Sequence, residues 1–193
     1  MTLITYIQNE SEPADFVDFW AAQYSYADEH LYGDNIGQEM TEDRILELFK
    51  WKNGSNLSAR KRDSVMRNYV ENIERVNGFS EKIDPRCFLE QEFPDGGAIW
   101  RIFWLHCCRP DEFPIYDQHV HRAMVFIQTR EIEEITSWPD PMKVSAYLDQ
   151  YLRFHNQTFK GLDQRRADKA LWAYGRFVKN FPRFGQALAE AHH

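Results

Sequence analysis

The stretch FPDGGAIWRIFWLHCCRPDEFPIYDQHVHR, Phe93 to Arg122, decides how the chain is read. Pro94-Asp95-Gly96-Gly97 supplies the turn residues, and the positive φ angles, that a tight connection between two helices needs. Ala98 to Cys108 follows with Ile99, Trp100, Ile102, Phe103, Trp104 and Leu105. A helix apolar nearly all round is a buried helix. Pro110 and Pro114 then hold the chain out of helix. Asp117 precedes Gln118–Val125, where a helical pattern resumes. Asp is a preferred N-cap, so the plain expectation for Asp117 is a helix cap.

Working outward, other helices announce themselves by caps and periodicity. Met1 to Ile7 is short and apolar, a strand or an arm. Pro13 opens a helix carrying Phe16, Phe19, Trp20 and Tyr24 at core-facing spacing. Gly33 to Gly37 reads as a loop. Thr41 opens a helix with Ile45, Leu48 and Phe49 inward, and Asn53-Gly54 closes it. Ser58 to Val76 reads as one long amphipathic helix ended by Gly78, with Arg60, Lys61 and Arg62 in its first turns. Cations there oppose the helix dipole unless something compensates, and a phosphate backbone or solvent can do so. Asp84-Pro85 starts a short helix. Pro141 to Phe154 reads as another, after the break at Trp138-Pro139. Gly161-Leu162-Asp163 leads into a last long helix with Ala167, Leu171, Trp172 and Gly175 on its packed side, interrupted at Phe181-Pro182. Strand signals are nearly absent, so the expected class is all-α.

The totals bound the partners. The chain has 193 residues, enough for one domain or two small lobes. No apolar run has membrane-spanning length, and no basic-then-apolar leader opens the chain. Three cysteines, Cys87, Cys107 and Cys108, are a poor disulfide framework and fit a reducing compartment. These features predict a cytoplasmic monomer away from membranes. The net charge of -7 argues against a generally basic nucleic-acid coat. It leaves room for a local basic face, because phosphate contacts are made patch by patch.

The opening stretch resembles the helix-hairpin-helix DNA glycosylases, the superfamily that includes endonuclease III and the 8-oxoguanine glycosylases, and is closest to the latter. Asp117-Gln118-His119-Val120-His121-Arg122 is similar to the family's Asp-x-His-(Val/Ile)-x-Arg segment. Pro94-Asp95-Gly96-Gly97 is similar to its Pro-Gly-x-Gly hairpin, with Asp95 in place of the first Gly. The distance from hairpin to Asp117 fits without a gap. The match covers residues 83 to 126. It implies a single glycosylase domain over 1–193, with the hairpin at about 84–108, two helical lobes and Asp117 in the cleft as the catalytic residue. Bifunctional members carry a Lys just after the hairpin; that position is Ile99 here, which has no nucleophile. The resemblance therefore implies monofunctional hydrolysis that leaves an abasic site in double-stranded DNA, with no cofactor and no metal.

The chemistry fits the residue type. Breaking an N-glycosidic bond builds positive charge on the sugar, and a fixed carboxylate stabilises that charge or polarises the attacking water. An N-cap fixes such a group. A flipped base must be held between aromatic side chains. Trp51, Trp100, Trp104, Tyr116 and Trp172 are the candidates, although most Trp residues are core. Asn53 and Asn56 lie where related enzymes keep a wedge. Gly96, Gly97, Arg60, Lys61, Arg62, His119 and Arg122 complete the expected DNA contacts, with the amides of Gly96, Gly97 and Ala98 suited to one phosphate and Asp95 opposing it. Two rivals compete. A metal site at His106-Cys107-Cys108 or His119-x-His121 is opposed by helical geometry, which points successive side chains about 100° apart. A helix-hairpin-helix protein that grips DNA without cleaving it is the other. The base is not named: an oxidised guanine, in repair, and a hypermodified phage base, in defence, both fit.

Overall fold

The computed structural model describes residues 12–77 and 83–190, with side chains described up to residue 180. The expectations for Met1–Ile7 and Gly78 lie outside these residues. Among the described residues the chain is all-α, with no strand. It divides into two compact units. Unit 1 comprises Met1–Ser25, Tyr116–Trp138 and Asp149–His193, and unit 2 comprises Tyr26–Ile115 and Pro139–Leu148.

In unit 1, α1 (Pro13–Ala21) and α8 (Gln118–Thr129) both pack on the long α11 (Gln164–Glu190), and α10 (Leu152–Thr158) belongs to the same unit. Aromatic rings fill the seam. Tyr174 of α11 lies 5.3 Å edge-on from Phe16 and 4.9 Å from Trp20, and Phe177 lies 5.2 Å from Trp20. Such pairs add roughly 0.5–1.5 kcal/mol each beyond simple burial. Asp163 caps α11, its carboxylate accepting from the Arg166 amide at 2.7 Å. The break expected at Phe181-Pro182 does not occur: the helix runs on to Glu190. A single Pro removes one backbone donor and can be carried by a helix that is otherwise intact.

Unit 2 holds α2 (Glu29–Gly33), α3 (Glu42–Asn53), α4 (Ala59–Asn68), α5 (Ile73–Asn77), α6 (Pro85–Cys87), α7 (Ala98–Cys108) and α9 (Asp140–Ser145). Thr41 caps α3, and Gly54 ends it at φ 71. The loop expected at 33–37 forms over residues 34–37, directly after the short α2. Five residues are too few for a periodic signal, and burial of Leu31 and Tyr32 holds the turn. The expected Ser58–Val76 helix breaks at Tyr69 (φ -124) into a 3₁₀ turn, Val70–Asn72, and then α5. The break lets the fully buried Tyr69 ring stack on Phe49, with centroids 4.6 Å apart and planes 9° from parallel. Asn72 donates its amide to the Asn68 carbonyl that the broken ladder releases.

The helix–turn–helix at the centre of the sequence forms as expected. Asp84 accepts from the Cys87 amide at 2.8 Å, α6 runs into a π-helical turn (Phe88–Glu92), and α7 starts after Gly97. Gly96 supplies the positive φ, 89°, and a Cβ there would lie 3.1 Å from the Asn68 side chain and 3.2 Å from the Tyr69 hydroxyl. Buried Arg101 reaches back from α7 to the Leu89 carbonyl at 2.7 Å, fixing the angle of the pair. The segment expected as one helix from Pro141 is α9, a π-helical stretch (Ala146–Tyr151) and α10.

Candidate active site

Asp117 is the N-cap of α8. Its Oδ1 accepts from the amides of His119 at 2.8 Å and Val120 at 3.1 Å. The Asp117 backbone is extended (φ -159), its carbonyl accepts the first helical bond from His121, and its side chain is half-buried. The carboxylate is thus pinned in one orientation on a helix start, where amide dipoles favour negative charge.

That helix start is itself clamped to α11. The Arg122 guanidinium, with no exposed surface, makes a two-pronged contact with Glu134 at 2.8 and 2.7 Å, donates to the Gly175 carbonyl at 2.8 Å and donates to His119 Nδ1 at 3.1 Å. The Arg122 bond is the main reason the Glu134 carboxyl titrates below its usual range. At Gly175 the two helices are in close contact: a Cβ there would lie 1.8 Å from the His119 carbonyl oxygen. The expectation that Arg122 contacts DNA is therefore corrected. Its donors are consumed inside unit 1, and it acts as a buried tie. Arg122 lies within five successive buried residues, Val120 to Met124, and its residue type alone does not separate a core Arg from a phosphate-binding one in sequence.

His119 sits beside Asp117 with its ring 5.5 Å from that of Trp172. Burial lowers its pKa below the ordinary 6.5 against the opposing pull of Asp117. With Nδ1 accepting from Arg122, the neutral ring carries its proton on Nε2. Trp172 also lines a cavity of about 450 Å³ with Phe19, Trp20, Gln23, Arg176 and Phe177. Of the aromatic residues named from sequence, Trp172 thus joins the Asp117 turn to a concave, ring-lined wall.

Tyr116 and His121 form a chain that spacing alone did not reveal. The Tyr116 hydroxyl donates to His121 Nδ1 at 2.8 Å, and His121 Nε2 donates to Glu133 at 2.9 Å. Tyr116 and His121 have no exposed surface. Burial raises the Tyr116 pKa and lowers that of His121, where it outweighs the Glu133 bond, so the ring is neutral between two partners. His119 and His121 therefore serve different neighbours. Tyr116 faces this network in the core.

The remaining predicted residues belong to unit 2. Lys61 bonds to the Asn53 side chain and lies 5.8 Å over the Trp100 ring. The Asn53 amide donates to the Ser55 and Asn56 carbonyls, so Asn53, Asn56, Lys61 and Trp100 gather in one corner at the start of α4. Arg60 and Arg62 are exposed on the same turn. Trp51 is buried against Tyr32, with its indole N–H donating to Glu29 at 3.1 Å, and Trp104 is fully buried beside Tyr69. Gly97 is exposed and has an ordinary φ of -70. The Ala98 amide, expected to face a phosphate, instead donates to the Asp140 carboxylate at 3.1 Å. An anion arriving at this helix start would have to displace Asp140 and lie near Asp95.

No family model matches the chain, and no curated protein and no solved structure matches it either.

Proposed function

We propose that this protein is a monofunctional DNA glycosylase that hydrolyses the N-glycosidic bond of a modified base in double-stranded DNA and leaves an abasic site. The resemblance of residues 83–126 to the helix-hairpin-helix glycosylases suggests the class. The observation that carries the reading is the Asp117 carboxylate, half-buried and fixed by two amides on a helix start that Arg122 and Gly175 lock to α11. A carboxylate that cannot reorient is suited to stabilising an oxocarbenium-like sugar, because no reorganisation is needed as the charge develops. Neutral His119 beside it adds no competing positive charge. Ile99, the second residue of α7, carries no amine for a Schiff base. A base lost from the stack would find aromatic surface at Trp172 and its cavity.

Asp117→Asn separates the two roles of this residue. Asn caps helices as well as Asp does, so the variant is expected to keep its fold and thermal midpoint while excision falls by roughly two orders of magnitude or more. The assay is single-turnover release of base from duplexes carrying an oxidised guanine or a hypermodified pyrimidine, read after alkaline cleavage. Wild-type rates in Asp117→Asn would overturn the mechanism. Duplex binding by the wild type without release of any base in such a panel would favour the non-catalytic DNA-binding alternative.

A further inference from the structure

We infer that Glu133 is a positioning residue for the Asp117 carboxylate: by fixing the tautomer of His121, it lets that one histidine hold the chain on both sides of Asp117. The inference rests on the role proposed for Asp117. Arg130 ends α8 in the left-handed conformation, φ 65, uncommon for a residue with a side chain. The chain reverses there, and residues 133–136 return along the helix they have just left. Three side-chain bonds mark the return. Glu134 accepts from Arg122 at 2.7 Å, Glu133 accepts from His121 Nε2 at 2.9 Å, and the Thr136 hydroxyl donates to Gln118 Oε1 at 3.0 Å. Positions 118, 121 and 122 share one stripe of α8, and Ile135, 1% exposed, seats the segment in the core.

His121 reaches Asp117 by two routes. Its amide donates to the Asp117 carbonyl at 2.9 Å, and its Nδ1 accepts from the hydroxyl of Tyr116, the residue before Asp117, at 2.8 Å. With the chain held on both sides, Asp117 Oδ1 stays on the His119 and Val120 amides. The second route depends on which ring nitrogen carries the proton. A neutral imidazole has one N–H, and the partner of one nitrogen decides the state of the other. A carboxylate only accepts, so Glu133 draws the proton to Nε2 and leaves Nδ1 bare for the Tyr116 hydroxyl. The ring has no exposed surface, and Trp138 stands edge-on to it at 5.3 Å. Losing Glu133 would leave a buried Nε2–H unsatisfied, which the ring avoids by moving its proton to Nδ1. An Nδ1–H then opposes the Tyr116 O–H.

Three measurements test this. Long-range proton–nitrogen NMR spectra report the His121 tautomer, hydrogen exchange of the His119 and Val120 amides reports the seating of Asp117, and single-turnover excision reports the consequence. The wild type is expected to show Nε2–H with Nδ1 bare. Glu133→Ala is expected to populate Nδ1–H and to speed exchange at both amides by about tenfold. Its excision is expected to slow by about tenfold, with the half-saturating duplex concentration unchanged. Glu133→Gln keeps an acceptor and is expected to restore all three to near the wild type. Glu131→Gln, which removes a charge two residues earlier, is expected to match the wild type. Should Glu133→Ala fail to fold, Tyr116→Phe deletes the hydroxyl alone and is expected to speed exchange at the same amides. An unchanged tautomer or unchanged exchange in Glu133→Ala, a Glu133→Gln as impaired as Glu133→Ala, or equal losses in Glu131→Gln would overturn the assignment. The first two readouts need no substrate. Absence of excision in the wild type therefore counts against the glycosylase reading, while tautomer and exchange decide the clamp on Asp117.

Discussion

At the scale of single residues, the position that most constrains the candidate site is a glycine. Gly175 has the backbone carbonyl of His119 pressed against its Cα and gives its own carbonyl to Arg122. Nothing larger than hydrogen fits. Gly175→Ala would force α8 and α11 apart at the turn that holds Asp117. The expected cost is about 1–3 kcal/mol, typical of overpacking, with excision reduced because the carboxylate moves with His119. Chemical denaturation of the variant, alongside single-turnover kinetics, checks both. A wild-type denaturation midpoint would mean that the helices part without penalty. The sequence gives half of this away. An isolated Gly inside a helical pattern signals a close approach, and Gly175 falls on the packed side. What approaches it, and that Arg122 is buried beside it, depends on contacts from a segment about fifty residues earlier.

At the scale of elements, packed helices carry buried titratable groups, and these make stability depend on pH. His155 of α10 faces Asp168 of α11 at 3.8 Å, beyond hydrogen-bond length, with both side chains buried. Burial lowers the histidine's pKa from 6.5 to about 4, outweighing an upward pull from Asn156. A histidine whose folded pKa is depressed contributes stability that is fully present above the unfolded value. That stability is lost as pH falls from about 6.5 toward 4. His121, also lowered by burial, acts in the same direction. Urea midpoints measured at pH 7, 5.5 and 4.5 should fall along that series, and His155→Phe should flatten the fall. An equally steep fall in the variant would assign it to other groups. Elements with strong caps were legible: Thr41, Asp84, Asp117 and Gly54 all end helices where expected. The break at Tyr69, where the ring stacks on Phe49, and the π-helical stretch at Ala146–Tyr151 were not, because hydrophobic periodicity carries no trace of either.

At the scale of the whole molecule, the chain passes from one unit to the other immediately before Asp117, between Ile115 and Tyr116. No helix of the described residues is long and apolar enough to cross a membrane. In a chain whose net charge is -7, exposed positive charge gathers on α4, at Arg60, Lys61 and Arg62. The reaction outcome tests the molecule entire. The residue after Ala98 is Ile99, whose side chain carries no amine to attack the sugar, and in the proposed reaction the Asp117 carboxylate stabilises charge or polarises water. Incubation with a susceptible duplex is therefore expected to give strands that stay intact until treated with alkali, and borohydride added during the reaction is expected to trap no covalent protein–DNA adduct. An adduct, or strand cleavage without alkali, would mean that an amine elsewhere performs the displacement, and the division of labour between Asp117 and water would have to be redrawn around it.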